Sequence, residues 1–150
     1  MTILITGANG LLGQYLVRHL LQQNYKVIDT GKGPDRLAPQ HPHYTYHEMD
    51  ICDATQVHTI IGNARPNVLV HAAAMTQVDE CELNPAVCER VNVTGTAHVL
   101  TAAEATGTQV IYVSTDFVFD GEKGNYAEDD DLNPVNYYGF TKMQAEAMVQ

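Results

Sequence analysis

Ile3-Leu4-Ile5-Thr6-Gly7-Ala8-Asn9-Gly10-Leu11-Leu12-Gly13 is the stretch whose reading decides the fold. Ile3–Ile5 is apolar at successive positions, which suits a strand buried on both faces of a parallel sheet. Leu12, Leu16, Val17, Leu20 and Leu21 then recur at helical spacing, so residues 11–22 read as a helix with a broad buried face. Between strand and helix the glycines fall as G-x-x-G-x-x-G. Gly7 permits a tight turn out of the strand, Gly10 removes the Cβ that would obstruct an approaching pyrophosphate, and Gly13 lets the helix pack close to the sheet. The backbone N–H groups of this loop and helix start, from Asn9 through Leu11 and Leu12, then face the phosphates. Three glycines alone are a weak signal; their place between a strand and a helix is the context the mechanism requires.

The same alternation continues outward. Lys26–Thr30 reads as a second strand, residues 31–43 as a loop rich in Gly, Pro, Asp and His, and Tyr44–Met49 as a third strand. Asp53 caps a helix carrying Val57, Ile60 and Ile61 and stopped at Gly62. Val68–Val70 is a fourth strand. Asn84-Pro85 reads as an N-cap followed by Pro at the first helical position, opening a helix that runs to about Thr106 and stops at Gly107. Val110–Val113 is a fifth strand, residues 120–136 form an acidic loop, and a last helix begins at Tyr137. Strands alternating with helices predict a parallel sheet with covering crossovers, a doubly wound Rossmann-type α/β fold.

Composition narrows the partners. Of 150 residues 45% are hydrophobic and 17% charged, as in an ordinary globular domain, and the formal net charge of −10 with no basic run argues against nucleic acid and anionic membrane. A nucleotide is compatible with that charge, because amides at a helix start bind phosphate without net positive charge. Cys52, Cys81 and Cys88 lack metal-type pairing, so no metal site is expected, and the thiols read as free in a reducing, cytoplasmic compartment. His41, His43 and His47, and the run Glu128–Asp131, read as solvated segments. No stretch is long enough to span a membrane, and Met1–Thr6, with no basic region ahead of it, reads as a strand and not a signal peptide.

The choice of nicotinamide cofactor falls at the end of the second strand. NAD-binding domains place an acid about 20 residues past the glycines to hold the ribose diol. Gly31 occupies that position, Lys32 follows it and Arg36 lies in the same loop. The missing acid and the two cations favour NADP(H). Asp29 keeps NAD(H) open, because a one-step shift of the strand end would bring its carboxylate forward.

Tyr138-Gly139-Phe140-Thr141-Lys142 is Y-x-x-x-K, which on a helix puts phenol and ammonium on one face. The ammonium favours the phenolate and lowers the Tyr pKa toward the range useful for proton transfer. Ser114-Thr115-Asp116 closes the fifth strand, where ligands of parallel sheets bind, and a hydroxyl there can hold a carbonyl or alcohol oxygen.

The glycine fingerprint, Asp50-Ile51, His71-Ala72-Ala73-Ala74, Asn92, Ser114–Phe119 and Tyr138-x-x-x-Lys142 occur in the order seen in extended short-chain dehydrogenases/reductases. With Met75-Thr76-Gln77-Val78-Asp79 and Asn133–Gly139, the chain most resembles the dTDP-4-dehydrorhamnose reductase family. The resemblance implies that Tyr138 is the proton donor, that Lys142 binds the nicotinamide ribose and tunes Tyr138, that Thr115 bonds the reacting oxygen, and that Asn92 supports the lysine through water. It further implies that Asp50 and Ile51 flank the adenine, that Ala72, Ala73 and Ala74 leave room for the cofactor, and that Thr76, Val78, Asp79, Thr115 and Asp116 contact a nucleotide-sugar substrate whose 4-keto group is reduced. Members of that family are about twice as long. The expectation is therefore a cofactor-binding half that lacks the last strands and the substrate domain and has no full activity alone. Helices near 85–106 and from 138 onward offer faces for a homodimer. Two alternatives stay open: a nucleotide-sugar epimerase or dehydratase with tightly held NAD, and a non-catalytic NADP-binding regulatory subunit of the methionine adenosyltransferase type.

Overall fold

Five parallel strands form one sheet in the order β3-β2-β1-β4-β5 in the computed structural model, which describes residues 1–149. β1 (Thr2–Thr6) lies at the centre, between β2 (Lys26–Gly31) and β4 (Val68–His71), with β3 (Tyr44–Glu48) and β5 (Gln109–Tyr112) outside them. Ile3 is in register with Val27 on one side and Val68 on the other. The chain winds outward through β2 and β3, then crosses back to β4, so the winding reverses beside β1. In doubly wound sheets a ligand crevice opens at that reversal, past the carboxyl ends of the strands.

The apolar strand residues divide between the two faces. Leu4, Ile28 and Leu69 pack against Val57 and Ile61 of α2 (Ala54–Ala64) and Val99 of α5 (Gly95–Thr106). Ile3, Ile5, Val27 and Val70 pack against Val17 and Leu21 of α1 (Leu11–Gln22). Asp53 caps α2 as its sequence position predicts, accepting from the N–H groups of Thr55 at 3.0 Å and Gln56 at 3.1 Å.

The structure corrects three expectations about helices. α2 passes through Gly62 to Ala64, and Arg65 ends it in the left-handed region at φ +40°. An exposed Gly inside a helix costs only about 1 kcal/mol, whereas Pro66 biases the residue before it away from helix. A short helix, α3 (Val78–Leu83), precedes Asn84. The Asn84 side chain makes no capping bond and donates instead to Glu80 Oε2 at 3.4 Å, although Pro85 does stand at the first helical position. The helix expected over 85–106 is divided into α4 (Pro85–Glu89), a π-helical turn over Arg90–Thr94, and α5. Such turns put one extra residue into a helix and often mark functional sites. α6 (Tyr137–Val149) follows the acidic loop.

Candidate functional site

The glycine loop is built by contacts that forbid side chains. Gly7 has φ +73°, and a Cβ there would lie 2.6 Å from Ala73 Cα. A Cβ on Gly13 would meet Gly7 O at 2.8 Å and Ala8 C at 2.9 Å. Gly13 therefore makes room for the backbone of the loop itself, and not for packing of helix on sheet as the spacing suggested. At Gly10 a Cβ would meet only Gly7 O, at 3.1 Å, which leaves its outer side open. That open side faces a cleft of about 530 Å³ running past Lys32, Arg36, Asp50, Ile51, Ala72–Ala74 and Thr76 to Ser114, Tyr138 and Lys142. A glycine cradle at a helix start, at one end of a long cleft, fits a dinucleotide pyrophosphate.

At the adenosine end, Asp29 does not reach the cleft. It is fully buried, its Oδ2 accepts from the Tyr44 hydroxyl at 2.9 Å, and burial pushes its pKa up to about 7. The alternative that this carboxylate holds the ribose diol fails on that geometry. Lys32 pairs with Asp50 at 2.8 Å from an 82% exposed position. An exposed pair of this kind contributes no more than about 1 kcal/mol, so the ammonium can turn to an anion in the cleft.

At the chemical end, α6 carries Tyr138 and Lys142, both buried. Lys142 Nζ donates to Val113 O at 2.7 Å and sits 4.0 Å from the centroid of the Tyr112 ring. Desolvation pushes its pKa down to about 8, with Glu146 opposing. The Tyr138 pKa is raised by burial, and the Thr115 hydroxyl acts against that shift. The expectation that Lys142 lowers the phenol's pKa is thus not met in this geometry: the buried ammonium spends itself on a carbonyl and an aromatic face. Thr115 does stand beside Tyr138, while its Oγ1 also accepts from Phe117 N at 3.2 Å.

Asn92 is held in place by direct bonds to protein groups. From the π-turn its Oδ1 accepts from Met75 N at 2.8 Å, and its Nδ2 donates to Met75 O and Thr141 Oγ1, each at 3.0 Å. Its amide is therefore engaged by protein groups and fixes the residue before Lys142; it does not point at the lysine. Thr76 lines the cleft. Val78 packs against the cluster of Cys81, Cys88 and Tyr138, Asp79 is exposed on α3, and Asp116 lines a separate hollow with Phe117 and Tyr126. Those three are not brought to the cleft.

Two features add to what the sequence reading offered, one at a hydroxyl position it named and one at a histidine it gave no role. Ser114 lines the cleft, and its Oγ is buried without a hydrogen-bond partner. His71 is fully buried, with Nδ1 2.6 Å from Thr6 Oγ1 and Nε2 3.0 Å from Thr96 Oγ1. Thr96 gives its only proton to Asn92 O at 2.6 Å, so Nε2 carries the ring proton and Nδ1 accepts from Thr6. Thr6 Oγ1 in turn accepts from Ala73 N at 3.2 Å. A neutral His71, its pKa held down at about 3 by burial, thereby ties the strand under Gly7 to the π-turn.

The model of one family, the RmlD substrate binding domain, matches residues 1–150. The chain belongs to this family. Among relatives of this RmlD-family chain, methionine adenosyltransferase 2 subunit beta from Bos taurus is 37% identical over 147 residues, covering 98% of this chain and 42% of that protein. A dTDP-4-dehydrorhamnose reductase from Bacillus anthracis str. Ames, solved in complex with NADP, superposes with a TM-score of 0.83 at 30% identity over 99% of this chain and 48% of that one. UDP-glucose 4-epimerase from Brucella ovis, in complex with NAD, superposes with a TM-score of 0.89 at 29% identity over 98% and 46%. The chain thus spans under half the length of these three proteins. The doubly wound fold and the resemblance to extended short-chain dehydrogenases/reductases both hold. Among the described residues no helix is long and apolar enough to cross a membrane.

Proposed function

We propose that this chain is the cofactor-binding half of an NADPH-dependent reductase acting on the 4-keto group of a nucleotide-linked deoxysugar. One observation carries the reading: Tyr138, Thr115 and the unpartnered Ser114 hydroxyl gather at the carboxyl end of β5, at the far end of the glycine-lined cleft. The dinucleotide supplies hydride when bound. The chain's own residues do the rest. Gly7, Gly10 and the start of α1 receive the pyrophosphate, and Asp50 and Ile51 border the adenine. Ser114 and Thr115 hold the substrate oxygen. Tyr138, buried and protonated at neutral pH, delivers a proton to that oxygen as charge develops on it. Lys142, beside Tyr112 and the end of β5, contributes positive charge to the same corner.

NADP(H) is the proposed cofactor, because Asp29 is buried under Tyr44 while Lys32 and Arg36 line the cleft. The remaining wall of the sugar-nucleotide pocket belongs to a C-terminal half outside this chain. The experiment is NADPH oxidation by the full-length gene product on a nucleotide-linked 4-keto-6-deoxysugar. Consumption of NADPH in step with ketone loss supports the reading, and NADPH binding without turnover refutes it.

The likeness to methionine adenosyltransferase 2 subunit beta favours one second reading, an NADP-binding regulatory subunit. Capture of a methionine adenosyltransferase catalytic subunit by a protein that fails the reductase assay would support it.

A further inference from the structure

Asn9 lies inside the glycine loop, yet its side chain turns toward the loop after β2. Nδ2 donates toward Lys32 O at 3.2 Å, Pro34 O at 3.1 Å and the Tyr46 hydroxyl at 3.1 Å. Oδ1 accepts from Arg36 N at 3.0 Å. The amide has one consistent orientation, since the flipped one would face oxygen to oxygen and N–H to N–H. Tyr46 completes the clamp, its one hydroxyl proton shared between Gly31 O at 2.8 Å and Gly33 O. A Cβ on Gly31 would meet Asn9 Nδ2 at 3.1 Å and Cγ at 3.3 Å. The backbone of Gly31 does not require glycine, because its φ is not positive. A side chain at position 31 would press on the Asn9 amide, which would have to give by a few tenths of an ångström.

We propose that Asn9 is the positioning residue that selects the 2′-phosphorylated cofactor. It acts twice. It crowds the space beside position 31, where a diol-binding acid would have to displace it. It also folds segment 32–36 against the glycine loop, so that Lys32 and Arg36 flank the adenosine ribose at a fixed distance from the pyrophosphate. Ordering the two cations before binding removes an entropic cost that the ligand would otherwise meet. Lys32 is held to Asp50 only by an exposed pair and is free to turn to a phosphate. The inference rests on the NADP reading above.

The test measures NADPH and NADH dissociation constants by nucleotide fluorescence on the full-length wild type, Asn9→Ala and Tyr46→Phe. Hydrogen exchange of residues 32–37 is followed without ligand. Wild type is expected to favour NADPH. Asn9→Ala is expected to lower the NADH-to-NADPH ratio of dissociation constants about 5- to 10-fold, the effect of losing one to two net hydrogen bonds of ordering. The loss falls more heavily on NADPH than on NADH, and exchange over 32–37 accelerates. Tyr46→Phe, which removes one partner of the Asn9 amide and leaves the residues of the glycine loop unchanged, reproduces the direction with a smaller change. An unchanged ratio in both variants, or an equal weakening of both cofactors, overturns the role of Asn9. A wild-type ratio near one overturns the NADP reading and the selection role with it. Accelerated exchange over 32–37 in the variants would even then show the clamp itself to be real.

Discussion

Replacing Asp29 by Asn is predicted to unmask an opposing titration hidden in the wild type. Asp29 is buried, with one carboxylate oxygen unpartnered and the other on Tyr44, and its pKa rises from 3.8 to about 7. Between pH 4 and 6.5 the native state therefore holds a proton that the unfolded chain has lost. Its stabilisation is complete below the unfolded pKa and is lost as pH rises through the folded one, at about 1.4 kcal/mol per pH unit. His71 runs the other way. Its folded pKa falls from 6.5 to about 3, so the unfolded chain takes up a proton that the native state refuses, and stability grows with pH over the same window. The two slopes cancel. Wild-type stability should change by less than about 1 kcal/mol from pH 4 to 6.5, whereas Asp29→Asn should gain roughly 3 kcal/mol over that interval. Asp50, Asp120 and Asp130 have lowered pKa values and act below this window; Lys142, at about 8, acts above it. The assay is urea unfolding followed by circular dichroism at half-unit pH steps. A flat profile in the variant, or a wild type that loses several kcal/mol toward pH 4, would refute the paired burial.

Other substitutions probe the cleft. Tyr138→Phe should leave the NADPH dissociation constant within about twofold while lowering turnover by about 10²- to 10⁴-fold, because only proton delivery is removed; equal turnover would reject Tyr138 as donor. Gly13→Ala places a methyl against Gly7 O and Ala8 C, so it should cost about 1–3 kcal/mol in urea and weaken NADPH binding by about tenfold or more. Lys142→Met removes a charge whose burial lowers its pKa to about 8, so turnover should fall while urea stability at pH 7 stays level or rises. A large loss of stability would show instead that its bond to Val113 O holds α6 in place.

The parts legible from sequence were those encoded by local pattern. Ile3–Gly13 announced a strand, a cradle and a helix, and the alternation behind it gave the parallel sheet. Tyr138 and Lys142 could be paired because four residues on a helix share a face. What stayed hidden depends on contacts between distant segments. Nothing near Asp29 says that Tyr44 and Asp35 will bury it; both approach only once β3 pairs with β2 and the intervening loop folds back. Lys142 was expected to serve Tyr138, but helical spacing does not reveal Val113 O and the Tyr112 ring on the neighbouring strand. The direct bonds of Asn92 could not be foreseen, because the π-turn that aims it at Met75 and Thr141 has no signature in residue type. Val78 and Asp79 were expected at the substrate, and the unforeseen α3 carries them outside the lining of the glycine-lined cleft.

The central claim is that this cleft brings a nicotinamide cofactor to a ketone beside Tyr138. Its most direct test is the stoichiometry of NADPH oxidised to 4-keto sugar nucleotide reduced by the full-length gene product, with Tyr138→Phe run in parallel. The account predicts equal amounts for the wild type and near-complete loss of turnover with retained NADPH binding in the variant. NADPH bound equally by both proteins and oxidised by neither would contradict it.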